Sequence, residues 1–155
     1  MSRIAVLSDT HGLLRPEVLD ALRDSDLILH AGDVGSPEVL ERLREVAPLI
    51  AVRGNVDHGP WAEALPATEV VTAGGHRIYM LHDLQQLDLD VVAAGFAVVV
   101  SGHTHRPLAE RRRGVLYLNP GSVGPRRFRL PVSLAWLTIS GSKIEHELVE
   151  LEAGI

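Results

Sequence analysis

Short apolar runs alternate with apolar residues at helical spacing over the first third of the chain. The runs at residues 3–8, 26–30 and 49–52 are typical of buried strands, because each holds consecutive aliphatic residues and is followed by polar residues and a glycine. Between them, apolar spacing predicts a helix over residues 16–24 and a second helix that begins at Pro37. This order of elements predicts a parallel sheet with right-handed crossovers.

The second half of the chain changes to a hairpin pattern. Pairs of strand-like segments are separated by short turns that contain glycine, which is a usual signal for antiparallel neighbours. These pairs are predicted over residues 68–73 and 76–81, 107–113 and 115–118, and 132–138 and 143–151. A buried strand is predicted over residues 96–100, and residues 84–95 are expected to carry a helix. Because no linker or repeat interrupts the pattern, residues 1–155 are expected to form one α/β domain with mixed sheets.

Composition narrows the classes of protein that fit this pattern. Hydrophobic residues make up 46% of the chain and charged residues 23%, which is an ordinary globular composition. The lack of cysteine excludes disulfides, zinc–thiolate sites and a catalytic thiol. A net charge of -5 disfavours nucleic acid as the main partner, because phosphate backbones need clustered cations. The longest apolar run, residues 91–100, is too short to cross a membrane, so a cytoplasmic protein without a membrane partner is expected.

Residues able to bind a metal follow five of the predicted strands, with a glycine beside most of them. The strand ends read Asp9-Thr10-His11-Gly12, Gly32-Asp33, Gly54-Asn55, His82-Asp83 and Gly102-His103-Thr104-His105. In open α/β sheets, ligand sites form beyond the carboxyl ends of the strands. Two aspartates, four histidines and one asparagine are therefore expected to converge.

This donor set favours particular metals. Nitrogen and oxygen ligands without sulfur suit Mn, Fe, Ni or Zn better than Mg or Ca, which prefer oxygen alone. Seven ligands exceed one tetrahedral site and fit two metals that share a carboxylate. Two-metal centres are a common device for hydrolysing phosphate esters.

Each motif alone has a simpler structural interpretation. Gly32-Asp33 is common in turns, Asn55 after a glycine is common in left-handed turns, and a lone His82 is often a paired core histidine. The joint pattern at five strand ends favours metal binding instead. Three other histidines lack such placement and are interpreted as structural or solvated, namely His30, His76 and His146. Arginines 111–113 are expected to form a solvated hairpin tip.

Together these motifs resemble the calcineurin-like metallophosphoesterase superfamily, from residue 9 to about residue 127. The later Asn119-Pro120-Gly121-Ser122 and the short length are similar to its small prokaryotic phosphodiesterase branch. The resemblance implies an α/β fold in the form of a four-layer αββα sandwich. It implies one metal held by Asp9, His11 and His105, a second held by Asn55, His82 and His103, and a bridge formed by Asp33.

The resemblance also implies a chemistry. Two divalent ions, with Mn²⁺ expected first and Ni²⁺, Fe²⁺ or Zn²⁺ as alternatives, would acidify a bridging water to hydroxide that attacks phosphorus in line. The catalytic residues implied are Asp33, Asn55 and His82. The expected substrate is a small phosphodiester whose identity the sequence leaves open. Phosphate contacts are open among Arg53, Arg106, Arg126 and Arg127.

One position departs from many members of the superfamily, in which a histidine follows the Gly-Asn pair and acts as an acid near the leaving group. Here Val56 occupies that position and has no proton to donate, while His58 lies two residues later. The small phosphodiesterase branch also lacks this histidine. Two other functions keep the same fold: a phosphomonoesterase on the same metals, and a protein-binding scaffold like a eukaryotic retromer subunit.

Overall fold

The computed structural model describes residues 1–127 and 129–151 of the chain. Two five-stranded mixed sheets form its centre. The first sheet contains β1 (Ser2–Leu7), β2 (Leu27–His30), β3 (Leu49–Ala51), β9 (Val132–Ser140) and β10 (Lys143–Leu151). The second contains β4 (Thr68–Ala73), β5 (His76–Leu81), β6 (Phe96–Val100), β7 (Leu108–Arg112) and β8 (Val115–Asn119).

Each sheet contains three adjacent parallel strands, which reach one edge of the first sheet and form the middle of the second. The first sheet has the order β10-β9-β1-β2-β3, in which β1, β2 and β3 are parallel and β9 is antiparallel to β1. The second has the order β4-β5-β6-β8-β7, in which β5, β6 and β8 are parallel. The carboxyl ends of these parallel strands are where the predicted ligands lie. All three predicted hairpins are confirmed as β4–β5, β7–β8 and β9–β10.

Side chains that alternate along the strands form separate apolar layers. Ile4 and Val6 of β1 pack with Ile78 and Met80 of β5 between the two sheets. The other face of the first sheet, which includes Leu7, packs against the helices. These helices are α1 (Pro16–Ala21) and α2 (Pro37–Val46). A third apolar cluster covers the outer face of the second sheet. The expected α/β class, a sandwich of two mixed sheets with an outer layer on each side, is therefore confirmed.

The prediction of a helix over residues 84–95 is wrong. Only a 3₁₀ turn, Leu84–Gln86, forms there, and connecting chain completes this outer layer. Aspartates favour turns in this segment, because Asp83 Oδ1 accepts from the backbone N–H of Gln85 and Asp90 Oδ1 accepts from that of Val92. The helix predicted over 16–24 is shorter than expected, since it ends at Ala21.

A short helix that the sequence pattern did not predict, α3 (Pro60–Glu63), follows the loop after β3. Within the described part of the chain, no helix is long and apolar enough to cross a membrane.

Candidate metal centre

Loops after β1 and β2 continue the pairing of these two strands and so place the first ligands side by side. The N–H of Asp9 donates to the carbonyl of Gly32 at 3.0 Å, and that of His11 donates to the carbonyl of Asp33 at 2.9 Å. At the second sheet, the N–H of Gly102 donates to the carbonyl of His82 at 2.9 Å. The ends of β1 and β2 therefore lie side by side, as do the ends of β5 and β6.

A first group of donor atoms consists of Asp9, His11 and His105, whose ligand atoms lie within 4.8 Å of one another. Asp9 Oδ1 lies 3.4 Å from His105 Nε2 and 3.6 Å from His11 Nε2. Asp9 and His105 are buried, and the His11 side chain is only 15% exposed. This geometry is compact enough for one cation.

A second group consists of Asp33, His82 and His103. Asp33 Oδ2 lies 3.1 Å from His82 Nε2 and 3.6 Å from His11 Nε2, so one carboxylate oxygen is near both groups. Asn55 Oδ1 lies 3.2 Å from His103 Nδ1. The structure therefore brings all seven sequence-predicted residues together, with Asp33 between the two groups.

Left-handed backbone conformations are concentrated in this cluster. Five residues with side chains larger than glycine have φ between 48° and 73° there, namely Asp9, His11, Asp33, His103 and His105. Each such conformation costs about 1–3 kcal/mol and persists only where the surrounding structure fixes it. Their concentration at the predicted ligands is typical of a functional site.

Glycines beside the ligands allow the loops to approach closely. A Cβ at Gly54 would overlap the backbone nitrogen of Asp33, and one at Gly102 would overlap the hydroxyl of Ser8. Both glycines have no positive φ, so close approach and not turn geometry explains them.

Four buried side-chain nitrogen or oxygen atoms in the cluster have no hydrogen-bond partner in the described structure. They are Asp9 Oδ1, His11 Nε2, His82 Nε2 and His105 Nδ1. Buried polar atoms are normally paired, so such a concentration needs an explanation. Asp9 shows the contrast within one side chain. Its Oδ2 accepts from the Ser8 hydroxyl and from the backbone N–H of His103, whereas its Oδ1 faces the histidines unpaired.

His82 gives the strongest test of whether a cation fits. Its Nδ1 lies 2.7 Å from the carbonyl oxygen of Ala31, which only accepts, so Nδ1 carries a proton. In the neutral ring, Nε2 then presents a lone pair to Asp33 Oδ2 at 3.1 Å. Two lone pairs at this distance repel unless a proton or a cation lies between them, so the donors fit a metal ion.

Electrostatics in the metal-free cluster agree with this arrangement. Burial lowers the pKa of His82, but the carboxylates of Asp33 and Asp9 outweigh burial and raise it above its usual value. Burial raises the pKa of Asp9, but the nearby imidazoles of His105, His11 and His82 and the hydrogen bond from the Ser8 hydroxyl hold it well below its usual range. Asp33 follows the same pattern: burial raises its pKa, and His82 with the backbone N–H of Val56 lowers it. The carboxylates stay ionised and attract positive charge.

His30 is buried yet differs from the candidate ligands, as the sequence interpretation expected. Its Nδ1 accepts from the N–H of Gly32 at 3.1 Å, and its Nε2 lies 3.0 Å from the Thr10 hydroxyl, which donates to the carbonyl of Val34. Burial lowers the pKa of His30 to about 4. His30 is therefore a neutral histidine with both ring nitrogens paired, and it supports the loops that follow β1 and β2.

Sequence reasoning missed the role of Asp57. Its buried carboxylate accepts from the backbone N–H groups of Val34, Gly35 and Gly54, at 2.9 to 3.1 Å. It thereby fixes the loop of Asp33 against the loop of Asn55. The only sequence signal for this role of Asp57 is a carboxylate two residues after Asn55. A carboxylate in a polar loop is equally typical of a solvated side chain.

The Asn119–Ser122 segment also holds the ligand loops. Asn119 Nδ2 donates to the carbonyl of Gly102, and the Ser122 hydroxyl donates to the carbonyl of Asp9. The resemblance drew attention to this motif, but its sequence alone did not predict these contacts.

Position 56 has no acid in the structure. The Val56 side chain is 41% exposed, and its N–H donates to Asp33 Oδ1 at 3.0 Å. His58 is exposed, and among the described residues no hydrogen bond joins it to a candidate ligand.

Two grooves border the cluster. The larger, of about 690 Å³, is lined by Asp83, His103 and Arg106 together with apolar side chains. The smaller, of about 350 Å³, is lined by Arg53, Asn55, His82 and Asp83, among others. Two of the four arginines noted in the sequence therefore lie beside the cluster. Arg126 instead donates to the carbonyl of Leu130, and Arg127 is exposed.

The stacked mixed sheets and the aspartate–histidine cluster at their strand ends define the metallophosphoesterase class. The chain belongs to the calcineurin-like phosphoesterase superfamily, whose domain it matches over residues 2–142. It is 37% identical to a probable metallophosphoesterase of Methanothermobacter thermautotrophicus, over 98% of this chain and 94% of that protein.

Solved structures agree. Phosphodiesterase YfcE of Escherichia coli is 30% identical, with 88% of each chain covered and a TM-score of 0.69. Vacuolar protein sorting 29 of Cryptosporidium parvum has a TM-score of 0.84 at 23% identity, covering 99% of this chain and 93% of that chain. At that identity the likeness shows the fold alone. The resemblance stated from the sequence motifs is thus confirmed at the level of the family.

Proposed function

We propose that the protein is a single-domain, metal-dependent phosphodiesterase with two divalent ions. The first ion is assigned to Asp9, His11 and His105, and the second to Asn55, His82 and His103, with Asp33 shared between them. The observation that carries this proposal is the set of buried, unpaired donor atoms, above all the Nε2 of His82 facing Asp33. Mn²⁺ is the proposed ion, with Ni²⁺, Fe²⁺ or Zn²⁺ as alternatives for this nitrogen and oxygen donor set.

When bound, the two ions would stabilise charge on the phosphoryl oxygens and acidify a bridging water to hydroxide near neutral pH. The chain's own residues prepare the site for this chemistry. Asp33 shares its carboxylate between the two groups, and the N–H of Val56 fixes its orientation. The carbonyl of Ala31 fixes the His82 ring with Nε2 directed inwards. Only two of the seven proposed ligands are anionic, so the loaded site keeps a net positive charge for a phosphate anion.

A diester is favoured over a monoester by the shape around the cluster. A phosphodiester carries two ester groups, and two grooves reach the proposed centre. One of them borders His103, and the other borders His82 and Asn55. Arg53 and Arg106 add a cation to each groove and are the proposed contacts for the anionic phosphate.

The test is metal reconstitution followed by a comparison of bis(4-nitrophenyl) phosphate with 4-nitrophenyl phosphate. We expect two ions per chain and faster turnover of the diester. Faster turnover of the monoester would instead indicate a phosphomonoesterase on the same metals. Two bound ions without hydrolysis of either ester would contradict an enzymatic function and favour a protein-binding scaffold.

A further inference from the structure

The larger groove continues from the proposed metal centre over the outer face of the second sheet. His103 and Asp83 line its inner end, at the carboxyl end of β6 and β5. Its volume of about 690 Å³ lies within the range of about 300–1,000 Å³ that is usual for small-molecule sites. A group attached to a phosphate at the centre is therefore able to extend into this groove.

Apolar atoms form most of the surface of the groove, and several apolar or aromatic side chains supply them. These side chains include Leu84, Pro107, Leu108, Tyr117 and Leu130. Leu108 is 47% exposed, more than any other large hydrophobic side chain in the described chain except Met1. Tyr117 is only partly buried, and the guanidinium of Arg112 lies 4.8 Å from its ring centroid.

Two polar side chains at the base of the groove, Asn119 and Thr104, are already bonded within the protein. Asn119 Nδ2 donates to the carbonyl of Gly102 and to the Thr104 hydroxyl oxygen, and Asn119 Oδ1 accepts from the N–H of Gly121. Thr104 Oγ1 also accepts from the N–H of Arg106. Sugar hydroxyl groups would lose water against the apolar walls, whereas an apolar group would not. The occupant is therefore expected to present mainly apolar surface to these walls.

We propose that this groove holds an aromatic ester group of the substrate, with the ring packed on Tyr117 and Leu108. The proposal rests on the proposed phosphodiesterase function and adds the substrate class to it. A ring is favoured over an alkyl chain because the Tyr117 ring offers aromatic packing and the Arg106 cation lies at the same groove. It is favoured over a second protein because the groove leads directly to the metal ligands.

The test measures binding of phosphonates, which contain a P–C bond that the enzyme does not hydrolyse. Phenylphosphonate, cyclohexylphosphonate and methylphosphonate are titrated by calorimetry into protein loaded with Mn²⁺. We expect phenylphosphonate to bind about 10-fold or more tightly than methylphosphonate, the scale of burying one ring. The cyclohexyl compound is expected to bind more weakly than the phenyl compound.

Two variants locate the ring. Leu108→Ser and Tyr117→Leu should each remove most of the phenyl preference, while Tyr117→Phe should keep it. Leu148→Ser is the matched control, since Leu148 is 38% exposed on β10 of the other sheet. Because Leu108 is exposed, its substitution tests the groove even where Tyr117→Leu fails to fold.

Each other outcome overturns part of the proposal. Equal affinity for phenyl and methyl compounds, or a phenyl preference that Leu108→Ser and Tyr117→Leu leave intact, would show that no ring binds here. Equal affinity for phenyl and cyclohexyl compounds would overturn the aromatic assignment. A phenyl preference without hydrolysis of any diester would overturn the phosphodiesterase function and leave the groove assignment standing.

Discussion

The two halves of the proposed centre differ in burial. The buried half consists of Asp9, His11 and His105, and the open half consists of Asn55, His82 and His103, with Asp33 between them. In the buried half, Asp9 is inaccessible to solvent. In the open half, the His103 side chain is 44% exposed and Asn55 is exposed, although His82 is buried. The open half thus reaches the surface through His103 and Asn55.

The surrounding loops explain this difference. Ser122 donates to the carbonyl of Asp9, and a Cβ at Gly124 would overlap that same carbonyl, so the chain closes over the buried half. Asn55 and His103 instead bond to each other near the surface, where both grooves open. On the proposed function, the buried half would therefore hold its ion more firmly, and the open half would exchange its ion with solvent and contact the substrate.

The largest effect is expected where the two halves meet. Asp33→Asn keeps the size of the side chain but removes the charge shared by both groups. We expect turnover to fall by about 10³-fold or more, the scale of losing preorganised electrostatic stabilisation. The measurement is diester hydrolysis at saturating Mn²⁺, with metal content determined in the same samples.

His146→Ala is the control for this variant. His146 lies exposed on β10 and makes no contact with a candidate ligand in the described structure, so turnover should stay nearly unchanged. Wild-type turnover by Asp33→Asn on every diester tested would show that Asp33 does not join the two halves.

The next effect concerns the leaving group, which the family resemblance places on the open side beside Val56. Without an acid there, the wild-type rate should fall steeply as the pKa of the leaving phenol rises. Val56→His should accelerate the poorest leaving groups by about 10²-fold, the lower end for a positioned general acid. The measurement is a plot of log rate against phenol pKa for substituted phenyl diesters.

His58→Ala tests the alternative donor. Because His58 makes no hydrogen bond to a candidate ligand, the slope of this variant should equal that of the wild type. A nearly flat plot for both proteins would show that the site already contains a general acid. Metal content must be compared for Val56→His, since a larger side chain there is able to crowd the ligands.

A smaller effect should separate the two halves by metal affinity. His105→Ala removes a buried ligand and His103→Ala an exposed one, so each should leave about one ion per chain. We expect the wild-type protein to lose one ion on dialysis about 10-fold or more sooner than the other, and His103→Ala to lack the fast phase.

The raised pKa of His82 predicts that falling pH empties the open half first, because the proton competes with metal for Nε2. Two ions released together at every pH would contradict the distinction.

Much of this architecture was predictable from the sequence. Strands with consecutive buried aliphatic residues, such as Phe96–Val100, carry a strong local signal, and the ligands follow them directly. The segment 84–95 was not predictable as connecting chain, because its apolar residues also fit a helix and only side-chain bonds from Asp83 and Asp90 decide between them. The contacts of Asp57 with Val34 and Gly35 span 23 and 22 residues, and local pattern carries no information on such pairs.

The smallest effect on turnover at neutral pH is expected from His30, which supports the buried half without facing it. Its pKa is lowered to about 4 by burial, against 6.5 when unfolded, so between these values the unfolded chain binds the proton and the folded protein does not. Its contribution to stability is therefore complete above pH 6.5 and decreases as pH falls towards 4, by up to about 3 kcal/mol. Urea unfolding of the metal-free protein from pH 7 to pH 4 measures this loss, and His30→Gln should reduce the pH dependence. If the pH dependence is unchanged in that variant, the titrating group belongs to the candidate metal ligands instead. Bound metal should then suppress the pH dependence of stability.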